Sequence, residues 1–296
     1  MPADPRVEEW STVTAEPAPA PVGLSARDVT LSYGRTPVVE GVDLDLPDGG
    51  LTVIVGPNGC GKSTLLKSFA RVLRPVGGTI TLAGRDVHAH RGREFARKVA
   101  LLPQSPIAPE GITVRGLVRR GRHPHHTLLR QWSPDDDRAI AFALDRTGLA
   151  DLADTPVGDL SGGQRQRAWI AMVLAQQTPV ILLDEPTTFL DIAHQYELLE
   201  LCAELNREGR TIAAVLHDLD QAARFASNLV VMKSGRIVAE GPPDAVLTAE
   251  RVHDVFALPC DITRDPITGT PKVIPHTRTQ RSGPGVMPNG GTAARP

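Results

Sequence analysis

The stretch GPNGCGKST, Gly56 to Thr64, constrains the fold more than any other part of this sequence. It fits the spacing G-x-x-x-x-G-K-[ST] and lies between an apolar run, LTVIVG, and a helix-like run, STLLKSFARVL. In that context glycines let successive backbone N–H groups curl around phosphate oxygens, so a buried strand, a tight loop and a helix start are expected in that order. Gly56, Pro57, Asn58, Gly59, Cys60, Gly61, Lys62, Ser63 and Thr64 then form a triphosphate cradle. Lys62 should reach the β- and γ-phosphates, and Ser63 should hold Mg²⁺. The bland alternative, a glycine-rich strand–helix turn with no ligand, is disfavoured by that context.

A triphosphate–Mg²⁺ site also needs a carboxylate from a neighbouring strand. VILLDE supplies Asp184 at the end of an apolar run and Glu185 directly after it. Asp184 is expected to hold the metal shell through water; Glu185, leaving the strand in another direction, is the candidate general base toward the attacking water. Acids after a strand are also common turn formers, and it is the cradle that turns this pair into a site. Gln104 ends VALLPQ and His217 ends TIAAVLH, both at the carboxyl edge where open α/β sheets bind ligands. Gln104 is a candidate for sensing metal and water and His217 for contacting the γ-phosphate; the alternative for each is an ordinary loop residue. Tyr33, in LSYG, leaves two readings open: stacking on an adenine ring or packing in the core.

A second stretch, DLSGGQRQRAWIAMVLAQQTPVILLDEPTTFLD from Asp159 to Asp191, raises a puzzle. It opens with a Ser-Gly-Gly turn at a helix start, which is itself an anion site. The chain therefore carries two phosphate cradles.

The 32 Lys and Arg residues nearly balance the 34 Asp and Glu, so no global field recruits nucleic acid or an anionic surface. Cys60, Cys202 and Cys260 have no paired spacing, which disfavours a disulfide framework or zinc cluster and fits a reducing cytoplasm. The N-terminal segment has acids and prolines where a signal peptide needs a basic start and an apolar run. No stretch approaches the roughly 20 apolar residues that span a bilayer. Residues 1–23 are expected to be a disordered leader. The segment 259–296 is expected to be an extension that is largely disordered from about 276.

Between the ends, strand-like and helix-like runs alternate, the pattern of a mostly parallel sheet flanked by helices. LSARDVTLSY and VVEGVDLDLPDG alternate polar and apolar residues as half-exposed antiparallel strands do. NLVVMKSGRIVAEG is broken by a Ser-Gly turn, as a hairpin would be. From about 105 to 178 the pattern is predominantly helical, which predicts an inserted helical lobe. There, Ser133 is the expected N-cap and Pro134 the first helical residue, with Asp135 to Asp137 on the positive end of the dipole rather than in a metal site. His123, His125 and His126 sit in a basic segment without acidic or Cys ligands, which favours a docking or solvated surface over zinc.

The motifs together resemble the ATP-binding subunits of ABC (ATP-binding cassette) transporters. From roughly 24 to 258 the family's landmarks occur in order: Tyr33, GPNGCGKST, Gln104, LSGGQ, VILLDEP, Leu190-Asp191 and His217. The resemblance implies an α/β P-loop core with an antiparallel β-subdomain and a helical subdomain. It implies ATP and Mg²⁺ as ligands, hydrolysis as the activity, and a head-to-tail dimer. In such a dimer Ser161, Gly162, Gly163 and Gln164 of one copy close over the ATP held by the other, and Asp191 belongs to the loop that couples the two sites. That answers the puzzle of the second cradle. The resemblance further implies two integral membrane permease subunits docked near Gln104, an extracytoplasmic substrate-binding protein acting indirectly, no nucleic acid, and a peripheral place on the cytoplasmic face of the membrane.

LVRRGRHPHHTLLRQWSPDD, Cys60 in the cradle and Phe189 before Leu190-Asp191, where many ABC proteins have a small residue, are similar to iron(III)–siderophore importers. Haem and cobalamin importers are the near alternatives. An export ATPase and a soluble non-transport ABC ATPase are the more distant ones; the latter usually has two cassettes or a long coiled coil.

Overall fold

The computed structural model describes residues 23–126 and 132–276; the expected leader and the tail beyond 276 lie outside them. In chain order the strands and helices are β1 (Leu24–Ser32), β2 (Pro37–Leu46), β3 (Leu51–Val55), α1 (Lys62–Phe69), β4 (Gly77–Leu82), β5 (Arg85–Asp86), α2 (Gly92–Ala96), β6 (Val99–Leu102) and α3 (Val114–Arg120). They continue with α4 (Pro134–Arg146), α5 (Gly162–Ala175), β7 (Val180–Asp184), α6 (Ile192–Arg207), β8 (Thr211–Val215), α7 (Leu219–Phe225), β9 (Asn228–Lys233) and β10 (Arg236–Gly241). The last are α8 (Pro243–Val246), α9 (Ala249–Phe256), β11 (Cys260–Arg264) and β12 (Pro271–Pro275).

Two sheets organise the chain. One has the order β10-β9-β3-β8-β7-β6, parallel except for β10, which pairs antiparallel with β9. Its central strands read as unbroken apolar runs because both faces are covered, and every residue of β3, β7 and β8 is buried. Leu51, Val53 and Val55 face a core shared with α5, α6 and the other helices, whereas Ile54 faces a second core shared with α1 and the antiparallel sheet. That second sheet, β2-β1-β4-β5, alternates buried and exposed residues along β2 because only one of its faces is packed.

The β9–β10 hairpin turns through Ser234 and Gly235, both at positive φ (48° and 81°), the backbone that matches strand twist in a tight hairpin. Helix α1 is shorter than its apolar run suggested: it ends at Phe69, and Arg71 takes φ 61°. The β11–β12 hairpin had no clear sequence signal; it is antiparallel and packs on α7, where the Val273 N–H donates to Asp220 (2.8 Å).

Between β6 and β7 the chain builds α3, α4 and α5 around a buried ion pair. Arg122 donates to Asp136 (2.7 Å), to the Ala175 carbonyl (2.7 Å) and to Gln177 (2.6 Å), joining the ends of all three helices. Ser133 and Asp136 close a capping box at the start of α4. The three aspartates do fan out: Asp135 pairs with Arg138, Asp136 with Arg122, and Asp137 accepts from the Trp132 indole. Nor do the histidines converge. His125 donates to the Gln176 carbonyl (2.8 Å), His126 lies 3.5 Å from Asp136, and the described residues hold no group of three or more potential metal ligands.

Burial pushes the Asp136 carboxyl up, but hydrogen bonds from Arg122 and Ser133 outweigh it and hold the group below its usual range. A depressed carboxylate contributes stability above its unfolded pKa, and that contribution is lost as pH falls through the folded value. Arg122→Leu strands Asp136 as a buried, unpaired charge and is expected to cost about 3–5 kcal/mol. Urea unfolding at neutral pH checks this, as a lower midpoint with an unchanged slope.

Candidate functional site

At the carboxyl edge of the large sheet, Val38, Asn58, Gly59, Gly61, Lys62, Ser63, Thr64, Gln104, Glu185 and His217 line a cavity of about 340 Å³. The loop before α1 holds its shape because two glycines leave no room for a side chain. A Cβ on Gly56 (φ 154°) would lie 2.3 Å from the Met232 carbonyl oxygen, and one on Gly61 (φ 104°) 2.8 Å from Val39. Lys62 Nζ donates to the carbonyls of Gly56 (2.8 Å) and Pro57 (3.0 Å), so its ammonium is held over the loop mouth. Cys60 is buried in the same loop, and burial pushes its thiol pKa up, which leaves it a poor nucleophile.

Ser63 Oγ donates to Asp184 Oδ1 at 2.7 Å, joining the loop to the end of β7. Asp184 is fully buried, and its Oδ2 has no hydrogen-bond partner. Burial pushes its carboxyl above the usual range against the Ser63 hydrogen bond and the charge of Lys67; the neighbouring Glu185 pushes the same way as burial. An orphaned carboxylate oxygen beside a hydroxyl is a hard-oxygen set, which suits Mg²⁺.

Glu185 leaves β7 with φ 53°, and this left-handed turn separates its direction from that of Asp184. Its Oε1 lies 2.7 Å from His217 Nε2. His217 and Gln104 each stand two residues beyond a strand end, at Val215 and Leu102, so the loops after β8 and β6 carry them over the cavity. Gln166, buried on α5, donates to the Pro186 carbonyl (2.9 Å) and ties that helix to the loop leaving Glu185.

Not every candidate converges. Tyr33 is 63% exposed just after β1, which excludes core packing, and it does not line the cavity. Ser161 through Gln164 do not line it either: Ser161 caps α5, accepting from the Gln164 N–H (3.2 Å), while Gln164 Oε1 accepts from the Ser161 N–H (3.0 Å). The two cradles thus stand apart within one chain. Asp191 caps α6, accepting from the backbone (3.0 Å) and ring (2.7 Å) of His194, and the backbone N–H is the main cause that holds its carboxyl below the usual range. Val38 in the cavity wall was not legible in advance, because at the start of β2 it reads only as a strand residue.

The family model for the ABC transporter matches residues 39–188. The chain belongs to the ABC transporter family. Members of its ATP-binding class hydrolyse ATP, and this cassette is such an ATPase. It is 51% identical to the ferric enterobactin transport ATP-binding protein of Escherichia coli (strain K12), over 88% of this chain and 96% of that protein. It is 45% identical to the iron(3+)-hydroxamate import ATP-binding protein of Bacillus subtilis (strain 168), over 84% and 93%. Among solved structures, the dimeric structure of a bacterial ABC transporter cassette superposes with a TM-score of 0.67 at 27% identity, over 74% of this chain and 98% of that one.

Removing the ammonium from the loop mouth should weaken ATP binding without unfolding the cassette. Lys62→Ala is expected to lower ATP affinity at least about tenfold, the scale of one strong charge-assisted contact. Calorimetric titration checks this, and unchanged affinity would contradict the assignment of Lys62.

Proposed function

We propose that this cassette is the ATP-hydrolysing subunit of a bacterial importer for iron(III)–siderophore complexes. Identity of about half to a ferric enterobactin transport subunit, across nearly the whole of that protein, carries the cargo reading. The same comparison favours it over export and over a soluble, non-transport role. No described helix is long and apolar enough to cross a membrane, so the pathway itself belongs to permease subunits. The cassette works peripherally at the cytoplasmic face, and a substrate-binding protein outside the membrane acts on it only through them.

The chemistry follows from the cavity. Gly56 to Thr64 wrap the phosphates with backbone N–H groups, Lys62 bridges β and γ, and Tyr33 offers its exposed face to adenine. Ser63 and Asp184 would hold Mg²⁺, with Gln104 reaching it or its water; when bound, the ion neutralises charge that develops on the phosphate oxygens. His217 fixes one oxygen of Glu185, leaving the other to take a proton from water as the water oxygen bonds to the γ-phosphorus and the bridging oxygen leaves with ADP. Because Ser161, Gly162, Gly163 and Gln164 stand away from this cavity, the second copy supplies them, and a symmetric dimer carries two composite sites with Asp191 in the loop between them. ATP touched from both sides favours the closed dimer, and hydrolysis removes that preference.

Glu185→Gln is expected to keep ATP affinity, lower turnover by about 10²–10⁴, the range for a general base, and accumulate an ATP-bound dimer. Turnover close to native in single-turnover assays would remove Glu185 from that role. For the transport reading, a tagged cassette drawn from detergent-solubilised membranes of its host should bring polytopic permease subunits with it. Recovery of soluble partners alone would leave the ATPase standing and remove the importer.

A further inference from the structure

The 2.7 Å contact between Glu185 and His217 joins two loops, and its length depends on how far each loop turns after its strand. Glu185 lies between β7 and α6, and His217 between β8 and α7. Outside the cavity lining, a pair of side-chain amides spans the same two loops. Gln195, in the first turn of α6, turns its Nε2 back to the carbonyls of Leu190 (3.1 Å) and Thr187 (3.4 Å), in the loop that follows Glu185. Its Oε1 accepts from Gln221 Nε2 on α7 at 2.7 Å. Gln221 is 4% exposed, and its backbone N–H donates to Asp218 (2.9 Å), the residue after His217. The links close into a circuit: Glu185, its loop, Gln195, Gln221, Asp218, His217 and Glu185 again.

The polarity of this pair is fixed by its surroundings. A side-chain amide has donors at one end and an acceptor at the other. Two loop carbonyls demand the NH₂ of Gln195, so its oxygen faces α7 and needs a donor there, which Gln221 supplies. Neither glutamine is needed to close a helix start by its side chain, because Asp191 caps α6 and Asp218 caps α7. Nor is the pair needed for contact between these helices, since Tyr196 already meets Phe225 with ring centroids 6.0 Å apart. What the amides add is direction: an apolar contact tolerates sliding, and a buried hydrogen bond between fixed partners does not.

We propose that Gln195 and Gln221 are positioning residues for ATP hydrolysis, their hydrogen bond setting the spacing of the two loops and with it the aim of Glu185 against His217. The inference rests on the reading of Glu185 as general base. Neither glutamine lines the cavity, so ATP affinity is untouched and the effect falls on turnover. A misplacement of about 1 Å can cost up to about 10²-fold in rate.

In the full-length chain, Gln221→Met and Gln195→Met keep side-chain length and remove the bond. Calorimetry should give ATP dissociation constants within about twofold of the parent. Turnover, measured well below the melting temperature of every variant, should fall at least about fivefold for each. Gln195 is only half-buried, so its variant carries the test even where Gln221→Met weakens the fold. The double variant should lie within about twofold of the worse single one, because either change opens the same link, whereas independent losses multiply. A nitrogen-15 spectrum of the nine histidine rings, with His217→Ala as the assignment, should show the His217 signals displaced in both single variants. A packing role alone would lower the melting temperature and leave those signals in place. Native turnover in both single variants, undisplaced His217 signals, or a double variant whose loss is the product of the two would each overturn the positioning role. If Glu185→Gln itself turns over close to native, the base reading fails and the positioning role with it; if Glu185→Gln is inactive while the glutamine variants are native, the positioning role alone falls.

Discussion

The hydrogen bond from Ser63 to Asp184 joins the two halves of the site, and much of the architecture serves to make it possible. Ser63 comes from the first turn of the helix after β3, and Asp184 from the end of β7, with β8 lying between those strands in the sheet. A parallel sheet buried on both faces brings these two strand ends to one edge with little freedom to slip, because any change of register would expose apolar side chains on both faces at once. The orphaned second oxygen of Asp184 is a cost this arrangement carries in the free chain. A cation held there would offset that cost and so link the stability of the fold to its ligand at one carboxylate.

From that edge the rigid connections run outward. Glu185 follows Asp184 through a left-handed turn and is fixed by His217; Gln166 ties the loop beyond it to α5, whose first residues form the second cradle. Gln176, one residue past the end of α5, donates to the carbonyls of Ala96 (2.5 Å) and Val99 (3.3 Å), reaching the strand that leads to Gln104. A displacement of the α3–α5 helices is therefore mechanically connected to both sides of the ATP cavity. Under the proposed function, this connection would let a permease pressing on those helices be sensed by the residues placed at the phosphate and the water.

Much of this was legible in the residues. The spacing of Gly56, Gly61 and Lys62 reads as a phosphate loop, and both glycines do sit where a side chain has no room; the apolar runs ending in Asp184 and near His217 read as buried parallel strands, as they are. The aspartates at 135–137 read correctly as a helix start. Three kinds of feature were not legible. The Glu185–His217 contact and the position of Val38 depend on how far a loop turns after its strand, and sequence spacing does not encode that angle. Tyr33 left packing and ligand stacking open because a single aromatic after a strand has no periodicity; its exposure decides against packing. The β11–β12 hairpin was hidden because its stability comes from α7 and not from strong strand propensity of its own.

The central claim is that each ATP is enclosed by the loop of one copy and the Ser161 cradle of the other. Complementation between two disabled chains tests it most directly. Lys62→Ala removes the phosphate lysine, Ser161→Arg blocks the cradle, and each protein alone should be nearly inactive. In an equal mixture, a mixed dimer has one site with both defects and one site with neither. The account predicts that ATP hydrolysis reappears on mixing, in proportion to the mixed dimer formed. A mixture no more active than its two components would contradict it, because sites built within a single chain cannot rescue each other.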